Sequence, residues 1–454
     1  MGGSPLRILR LTPRGTRFVE RLVDGEPVPP SREAQRLVRR LLDGGLAHPR
    51  PGQPSHSRSD VTVVIPVRDQ AGYLADTLPR LDRHLEVIVV DDGSIDDRVV
   101  DTARQAGVTV LRAEYPRGPA AARNRGWRQV RTDLIAFLDA GCVPAVGWLD
   151  QMLAHFGDPT VAAVAPRISG TIPRTLPSLL ARYEAARPTL DRGGQEARVQ
   201  PRSRVPFVPT TASVIRRHVL EQAGGFDESL RFGADVDLIW RLVAAGWTIR
   251  YDPAKSVAHP ARSTTRDWLR QRFDYGTSAA PLARRHGNAV APAVMSPWSA
   301  LVWVLAGIAR PLVGAVVGAA STALLAPRLK GVEHPWGEAL RLAGKGHLYA
   351  GLSTAAAARR AWWPFAAVIV LVFNRPRRGL LAAATIPSFL EWRQLRPNLD
   401  PASWVAIRLI DDLAYGAGVW AGCFRERSLA ALRPDLTSWP GRRPSAGGGG
   451  MRFK

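Results

Sequence analysis

Acidic residues follow two apolar stretches of the chain and lead into a third. Asp91 and Asp92 come directly after "LEVIVV", Asp139 follows "LIAFL", and Asp235 begins "DVDLIWRL". Carboxylates in such places accept hydrogen bonds from hydroxyl and N–H groups, bind divalent cations, or take a proton from a reacting hydroxyl. The residue types therefore indicate a polar ligand and a candidate general base.

The segment "VIVVDDGSIDD", residues 87–97, combines two carboxylates with a Gly-Ser turn. A carboxylate here can accept a hydrogen bond from the N3–H of uracil or from a ribose hydroxyl. Gly93 lets the backbone approach a ligand closely. An ordinary Asp-Gly turn that caps a helix explains the same residues, so both interpretations stay open on this segment alone.

The segment "RGPAAARNRG", residues 117–126, predicts a helix that begins with small side chains. The N-terminus of such a helix can face a phosphate group, and Arg123 can add a charge-assisted contact. A solvated arginine on a helix surface is the commoner alternative. Alone, this segment is only weak support for a phosphate ligand.

The segment "GGFDESLRFGADVDLIWRL", residues 224–242, is more specific because a glycine-rich turn precedes an amphipathic helix. Asp235 and Asp237 lie just before or within the first turn of that helix, where the helix dipole stabilises a negative charge. That stabilisation alone explains both residues. The sharper hypothesis is that Asp235 is a general base for an acceptor hydroxyl.

The elements that must position these residues are strands alternating with helices from Asp60 onward. Continuous apolar strands such as "VTVVIPV" and "LEVIVV" predict an α/β fold, with a mostly parallel sheet covered by helices on both faces. Ligands of such sheets lie beyond the carboxyl ends of the strands. Pro66, the Asp91–Asp92 turn and Asp139 all fall at such ends.

Composition narrows the class of partner. The 454 residues include 62 Lys plus Arg against 39 Asp plus Glu, a net charge of +23, which favours phosphate ligands or an anionic membrane surface. No dense basic block interleaved with aromatic residues occurs, so we expect no nucleic acid partner. Cys142 and Cys423 form no zinc spacing or disulfide framework, and no signal peptide is visible. We expect a reduced, cytoplasmic catalytic part.

The sequence on either side of the predicted α/β domain divides into further segments. Residues 1–48 form a small α+β module, either winged-helix-like or a helical appendage, followed by a linker at 49–59. Residues 60–285 form the main domain, 286–435 a largely helical apolar region, and 436–454 a disordered tail. In that region, residues 298–326 carry one charge, Arg310. This arginine divides the segment into two halves, each too short to span a membrane. We interpret the region as interfacial, with a buried helical hairpin as the alternative.

Five segments together, in this order, resemble the inverting family-2 glycosyltransferases of the GT-A fold over about residues 60–280. They are "VVIPVRD", "VIVVDDGSIDD", "GPAAARNRG", "LIAFLDAGCVP" and "GGFDESLRFGADVDLIWRL". The flanks "PLRILRLTPRG", "YGTSAAPLARRHG" and "DDLAYGAGVWAGCFRER" look like the mycofactocin-system glycosyltransferases. The resemblance implies UDP-glucose as donor and premycofactocin, a peptide-derived acceptor, with elongation of a short β-glucan. The N-terminal module would then be a peptide-recognition element.

The resemblance also implies roles for residues. Asp235 would be the catalytic base, although Ala234 stands where the family has Glu. The nucleotide sugar would contact a set at the strand ends: Pro66, Val67, Arg68, Asp91, Asp92, Ser94, Arg123 and Asp139. The acceptor or diphosphate side would carry Asp237, Trp240, Arg241, Arg270 and Arg272.

The family's second metal-binding Asp is absent, because Gly141 occupies its position. Mg²⁺ or Mn²⁺ is still expected, since Mg²⁺ needs only one or two carboxylates when phosphates and water complete its ligands. Asp139 and His259 are the metal candidates, although a lone surface or core histidine is the commoner explanation for a residue such as His259. Alternatively, Arg270 and Arg272 replace part of the metal's charge.

Two rival functions stay open. A membrane-associated family-2 transferase acting on a lipid or cell-wall acceptor is favoured by the apolar C-terminal third. For either acceptor we expect a cytoplasmic protein that is peripheral to or embedded in the inner face of the cell membrane. A non-catalytic GT-A scaffold is suggested by the two eroded acidic motifs at Gly141 and Ala234.

Overall fold

The computed structural model describes residues 2–4, 9–170, 178–260, 264–308, 310–329 and 332–436, except for the side chain of Arg375. The chain divides into two compact units. The first comprises Met1–Leu176 and Arg187–Ala261, and the second comprises Pro177–Ala186 and Arg262–Lys454. The N-terminal 59 residues therefore share a unit with the sheet, and a helix near residue 180 belongs with the C-terminal helices.

One mixed sheet forms the centre of the first unit. Its strands are β1 Val61–Val67, β2 Glu86–Asp91, β3 Thr109–Arg112, β4 Leu134–Leu138, β5 Val143–Pro144, β6 Val161–Gly170, β7 Ala197–Val199, β8 Ala212–Arg216 and β9 Thr248–His259. The order is β3-β2-β1-β4-β8-β6-β9-β5, with β7 also paired to β9. The first four strands are mutually parallel, whereas β8 runs antiparallel to both of its neighbours.

Helices cover this sheet. They are α1 Pro13–Val23, α2 Arg32–Asp43, α3 Ala71–Thr77, α4 Arg98–Gln105, α5 Pro119–Trp127, α6 Trp148–Leu153, α8 Arg217–Gln222 and α9 Ala234–Ala244, with α7 in the other unit. Every residue of β4 is buried, as expected for a parallel strand covered on both faces. The core joins β1, β2 and β4 to α6 through residues such as Ile65, Val89, Leu134 and Met152.

The N-terminal helices pack against the sheet domain. Thr12 caps α1, and Ser31 caps α2 by accepting a hydrogen bond from the Ala34 amide at 3.3 Å. From α2, Arg39 donates to the Thr160 hydroxyl at 2.6 Å and to the Thr248 hydroxyl at 3.0 Å. Residues 5–8 of the predicted α+β module lie outside the described part of the chain. The described residues that follow, up to Thr12, form no strand.

The second unit is helical. It contains α7 Leu179–Ala186, α10 Thr265–Thr277, α11 Ala279–His286, α12 Pro297–Gly307, α13 Pro311–Leu325, α14 Pro335–Arg360, α15 Trp363–Val372, α16 Asn374–Leu395 and α17 Pro401–Arg425. Helices α10 and α17 approach closely at Gly418, where a Cβ atom would lie 1.9 Å from the Phe273 carbonyl oxygen. The expected α/β fold class and the helical C-terminal region are confirmed.

Many apolar side chains on the helices from α12 to α16 are exposed, among them Val304, Leu312, Val316, Phe365 and Leu371. Within the described residues, one helical stretch, Pro311–Leu329, is long and apolar enough to cross a membrane, with a mean hydropathy of 1.6. It reaches 19 residues because a 3₁₀ turn extends α13, a length that the sequence did not predict. By length and composition, α14 and α15 make a second candidate, but they are bent by 90°.

Candidate active site

The carboxyl ends of the first strands meet at one edge of the sheet. Val67 at the end of β1 is in register with Asp91 at the end of β2. Strand β4 lies parallel on the other side of β1, so that Asp139 follows at the same edge. The sequence therefore located this edge correctly from the order of strands and carboxylates.

A hydrogen-bond chain ties the loops after β1 and β2 together. The Asp91 Oδ1 atom accepts from the Ser94 amide at 2.9 Å and from its hydroxyl at 2.6 Å. The Ser94 hydroxyl oxygen accepts from the Asp69 amide at 2.9 Å, and Asp69 Oδ1 accepts from the Ile95 amide at 2.8 Å. Ser94 thus connects two carboxylate loops, and Asp69 was not identified from the sequence.

The second oxygen of Asp91 has a different environment. Oδ2 is buried, lies 3.5 Å from Arg112 Nε, and makes no hydrogen bond within the described part of the chain. A buried carboxylate oxygen without a donor is costly unless a ligand supplies one. This atom is therefore available to a ligand N–H or O–H group.

Both carboxylate oxygens of Asp92 accept hydrogen bonds from the backbone. They accept from the Arg117 amide at 2.9 Å and from the Gly118 amide at 2.8 Å, directly before α5 begins. Asp92 therefore fixes the N-terminal end of α5 relative to the sheet. A contribution to nucleotide binding would be indirect.

Asn124 joins α5 to the loop before α9. Its side-chain amide donates to the Phe226 carbonyl at 2.8 Å and to Glu228 Oε1 at 2.9 Å, and its oxygen accepts from the Phe226 amide and from Trp127 Nε1, each at 2.9 Å. All four of its hydrogen-bonding positions are used. Asn124 and Glu228 were missed, although Asn inside a helix of small residues was a signal.

Arg123 lies at the centre of the site. It donates from Nη2 to Asp139 Oδ1 at 2.6 Å, and its guanidinium lies 5.9 Å from the centroid of the Phe226 ring. Phe226 in turn packs edge-on against Phe137 of β4. Arg123 Nε is buried and has no hydrogen-bond partner among the described residues. The predicted phosphate contact and the predicted metal carboxylate are therefore adjacent.

Asp235 occupies the first turn of α9, after Gly233 at a φ of 80°. Its Oδ1 accepts from the Val236 amide at 2.9 Å. Burial raises the pKa of its carboxyl above the ordinary Asp value, while the guanidiniums of Arg123 and Arg192 act to lower that pKa. Asp235 thus shares a neighbourhood with Arg123, and a carboxylate of raised pKa suits a general base. Arg192 was not identified from the sequence.

Three residues assigned to the acceptor or diphosphate side make contacts that hold the fold. Arg241 donates to Asp237 Oδ2 at 2.8 Å and to the carbonyls of Ala223 and Gly225 at 2.6 and 2.7 Å. Trp240 donates to the Pro206 carbonyl at 2.7 Å. These bonds position the turn before α9, so any ligand role of these residues stays a prediction.

The other predicted arginines differ in their surroundings. Arg68 is exposed and pairs with Asp69 at 3.4 Å. Arg270 and Arg272 belong to the second unit, where Arg270 is exposed. Arg272 is buried there and forms ion pairs with Glu184 and with Asp411.

A side chain at Gly141 would be strained and tightly packed. Its φ is 87°, and a Cβ atom there would lie 3.0 Å from Pro260 Cγ and 3.2 Å from the Tyr73 ring. Pro260 follows His259 directly, so the end of β9 reaches the same place as the loop after Asp139. Close packing and a left-handed backbone thus both favour glycine at this position.

The described residues contain no group of three or more His, Cys, Asp or Glu side chains able to hold a metal ion by themselves. One carboxylate, Asp139, and one imidazole, His259, make a donor set that fits a metal only if substrate oxygens add ligands. A divalent ion would therefore bind together with a diphosphate.

Comparisons with known proteins find several relatives of this chain. The model of the family "Glycosyl transferase family 2" matches residues 62–224. A mannosyltransferase from Pyrobaculum calidifontis, solved with GDP-Man and Mn²⁺, is 18% identical with a TM-score of 0.46 over 83% of this chain and 92% of its own. A polypeptide N-acetylgalactosaminyltransferase 15 from Mus musculus is 28% identical over 48% of this chain and 37% of its own.

One relative matches nearly the whole chain. The pre-mycofactocin glycosyltransferase of Mycobacterium tuberculosis is 41% identical over 452 residues, covering 96% of this chain and 94% of its own. The resemblance of the flanks is therefore confirmed along with that of the sheet domain, and the scaffold alternative is set aside. The chain is a glycosyltransferase and belongs to the pre-mycofactocin glycosyltransferases within glycosyl transferase family 2.

Proposed function

We propose that the protein transfers glucose from UDP-glucose to a hydroxyl of premycofactocin with inversion, and then elongates a short β-glucan in mycofactocin biosynthesis. One observation carries the proposal. Arg123 contacts Asp139 at 2.6 Å and is close enough to Asp235 to affect its pKa. The candidate base and the candidate diphosphate-binding groups therefore share one electrostatic neighbourhood.

The chemistry needs one base. Asp235 takes the proton of the acceptor hydroxyl while its oxygen attacks the anomeric carbon from the face opposite UDP. A single displacement inverts the configuration, so the second catalytic carboxylate of a glycosidase is not required. The α-linked glucose of the donor becomes β-linked in the product.

Arg123 favours departure of UDP. Negative charge develops on the diphosphate as the glycosidic bond breaks, and a fixed guanidinium in a partly buried site stabilises that charge more than water does. The side chain of Arg123 is 12% exposed, and its buried Nε has no hydrogen-bond partner among the described residues. An incoming phosphate oxygen would satisfy that donor.

The uridine would bind beside the ends of β1 and β2. Asp91 Oδ2 is a buried acceptor and would receive the N3–H of uracil or a ribose hydroxyl. Pro66 and Val67, in register with the end of β2, would form the adjoining wall. Asp92 and Ser94 would hold the two loops in place.

A divalent cation, Mg²⁺ or Mn²⁺, would be held by Asp139 and His259 with oxygens of the diphosphate. When bound, the ion would supply charge neutralisation to the leaving group. Arg123 already occupies one oxygen of Asp139, so the other oxygen is the one available to an ion.

The acceptor assignment rests on the relative from Mycobacterium tuberculosis. That protein's name gives pre-mycofactocin as its acceptor, and the match extends through both units of this chain. A lipid or cell-wall acceptor is the second candidate, favoured by the exposed apolar side chains of the second unit. The same surface supports contact with a membrane, and we propose that the protein lies in the cytoplasm at the inner face of the cell membrane.

Mass spectrometry of the purified full-length protein tests the reaction. We expect a ladder of hexose additions on premycofactocin with UDP-glucose and Mg²⁺ or Mn²⁺, and a β configuration of each new linkage by NMR. UDP-galactose and GDP-mannose serve as donor controls. Hydrolysis of UDP-glucose without addition of hexose to premycofactocin would overturn the assignment of this acceptor. Lipid acceptors would then be tested.

A further inference from the structure

A cavity in the second unit lies beside a proline inside α16. Its volume is about 750 Å³, within the range of small-molecule sites. It is lined from three helices by Leu352, Arg359, Pro387, Leu390, Glu391, Arg393, Gln394 and Arg408. None of these residues takes part in the proposed glycosyl transfer.

The proline accounts for one wall of the cavity. Pro387 has no N–H group, so the carbonyl of Ala383 one turn earlier loses its helical donor. Arg359 of α14 replaces that donor from Nη1 at 3.1 Å, and its Nε donates to Asp412 of α17 at 2.8 Å. The irregular turn of α16 is therefore anchored to both neighbouring helices.

The charges of the cavity do not cancel. Arg359 and Arg408 both pair with Asp412, and Arg408 Nε also donates to Glu391 at 3.1 Å. Arg393, in contrast, is exposed and makes no ion pair or hydrogen bond among the described residues. One uncompensated positive charge therefore remains at the opening, where an anionic group would be attracted.

The other side of the opening is apolar and exposed. Leu352 is 38% exposed and Leu390 is 50% exposed, although both line the cavity. Neighbouring turns of the same helices add exposed apolar side chains, namely Leu348, Tyr349, Ile386 and Phe389. An exposed apolar surface of this kind beside a charged recess marks a binding site.

We propose that this recess, lined by α14, α16 and α17, binds an anionic phospholipid. The phosphate lies against Arg393 and Gln394, and an acyl chain covers Leu352 and Leu390. A free phosphate would satisfy the arginine but leave the leucines in water, so the combined lining selects the amphiphile. The site is independent of the proposed donor and acceptor.

Native mass spectrometry of the full-length protein in detergent tests the site. We expect phosphatidylglycerol to bind and phosphatidylcholine of the same chain length to bind about tenfold more weakly. Arg393→Gln is expected to weaken phosphatidylglycerol binding about tenfold, because the unpaired guanidinium is lost. Arg377→Gln removes an equal, exposed charge from the other end of α16 and should leave the affinity unchanged.

A second variant separates a lipid from a free anion. Leu390→Asn should weaken phosphatidylglycerol binding, whereas inorganic phosphate should fail to displace the lipid. Displacement by inorganic phosphate at equal concentration would overturn the lipid assignment. Equal affinities of Arg393→Gln and Arg377→Gln would overturn the site itself, since both variants keep all buried ion pairs.

Discussion

Arg123 of α5 and Asp139, which follows β4, form a hydrogen-bonded ion pair, with 2.6 Å between Arg123 Nη2 and Asp139 Oδ1. The two residues are sixteen positions apart in the sequence. The pair stands where the family resemblance implies a metal-binding carboxylate and a nucleotide contact. Gly141, two residues later, stands in place of the usual second carboxylate, and a side chain there would be strained by the positive φ and by close contacts with Pro260 and Tyr73. In this protein a guanidinium therefore accompanies the remaining carboxylate.

Replacing Arg123 by Gln should impair the transfer step. Removing a hydrogen-bond donor that is aimed at developing negative charge typically lowers kcat by about 10²- to 10³-fold, and we expect a loss of that size. The matched control is Arg125→Gln, an exposed arginine on the same helix. Steady-state kinetics with UDP-glucose would measure both, and equal rates of the two variants would contradict the role of Arg123.

The Arg123→Gln variant should also shift the pH dependence. The guanidinium acts to lower the pKa of Asp235, so its removal raises that pKa further. Because the base must be ionised, activity is lost as pH falls through the pKa of Asp235. In the native protein that acidic limb should lie above the ordinary Asp value of about 3.9, and in the variant it should lie higher still. An unshifted limb in kcat against pH would refute this coupling.

Asp235→Asn should make the fold more stable while removing activity. The folded-state pKa of this carboxyl is raised, so ionising it costs free energy of folding. That cost is absent below the unfolded-state pKa and is fully present above the raised folded-state pKa. The gain in unfolding free energy should therefore appear at pH 7 and vanish at low pH. Thermal unfolding at both pH values is the measurement, with exposed Asp76→Asn as control.

Gly141→Asp should not create a two-carboxylate metal site. A residue with a side chain at a φ of 87° costs about 1–3 kcal/mol, and contacts with Pro260 and Tyr73 add to that cost. Gly141→Ala should lose a similar amount, because the backbone is the cause. Denaturant unfolding with and without Mn²⁺ measures this, and a Mn²⁺-stabilised Gly141→Asp protein would contradict the packing argument.

Gly418→Ala should destabilise the helical unit. The added methyl group would overlap the Phe273 carbonyl oxygen, so α10 and α17 would have to separate. Gly379→Ala in α16 is the matched control, since nothing lies within 4 Å of its Cβ position. The control should gain about 1 kcal/mol from helix propensity. Equal unfolding temperatures of the two variants would show that the close packing of α10 and α17 does not stabilise this unit.

The sequence was sufficient to predict those structural features that depend on residues close together in the chain. Continuous apolar strands located the edge of the sheet that bears Asp91 and Asp139. The break between α12 and α13 follows from Arg310 and Pro311. Each of these features depends on neighbours within a few residues.

Features that depend on distant pairing were not predicted. Asn124 contacts Phe226 and Glu228 more than 100 residues away, and such a match has no periodicity in the sequence. The antiparallel insertion of β8 between β4 and β6 is likewise set by tertiary contacts. The contacts of Trp240 and Arg241 with backbone carbonyls could not be read from a helical pattern.

The central claim is that Asp235 removes the proton from the acceptor hydroxyl. The most direct measurement is the single-turnover rate of hexose transfer from UDP-glucose to premycofactocin by Asp235→Asn, with binding of UDP measured separately. We expect a rate reduced by at least about 10²-fold, while UDP affinity stays within about threefold of the native value. A near-native transfer rate would show that a group other than Asp235 is the base.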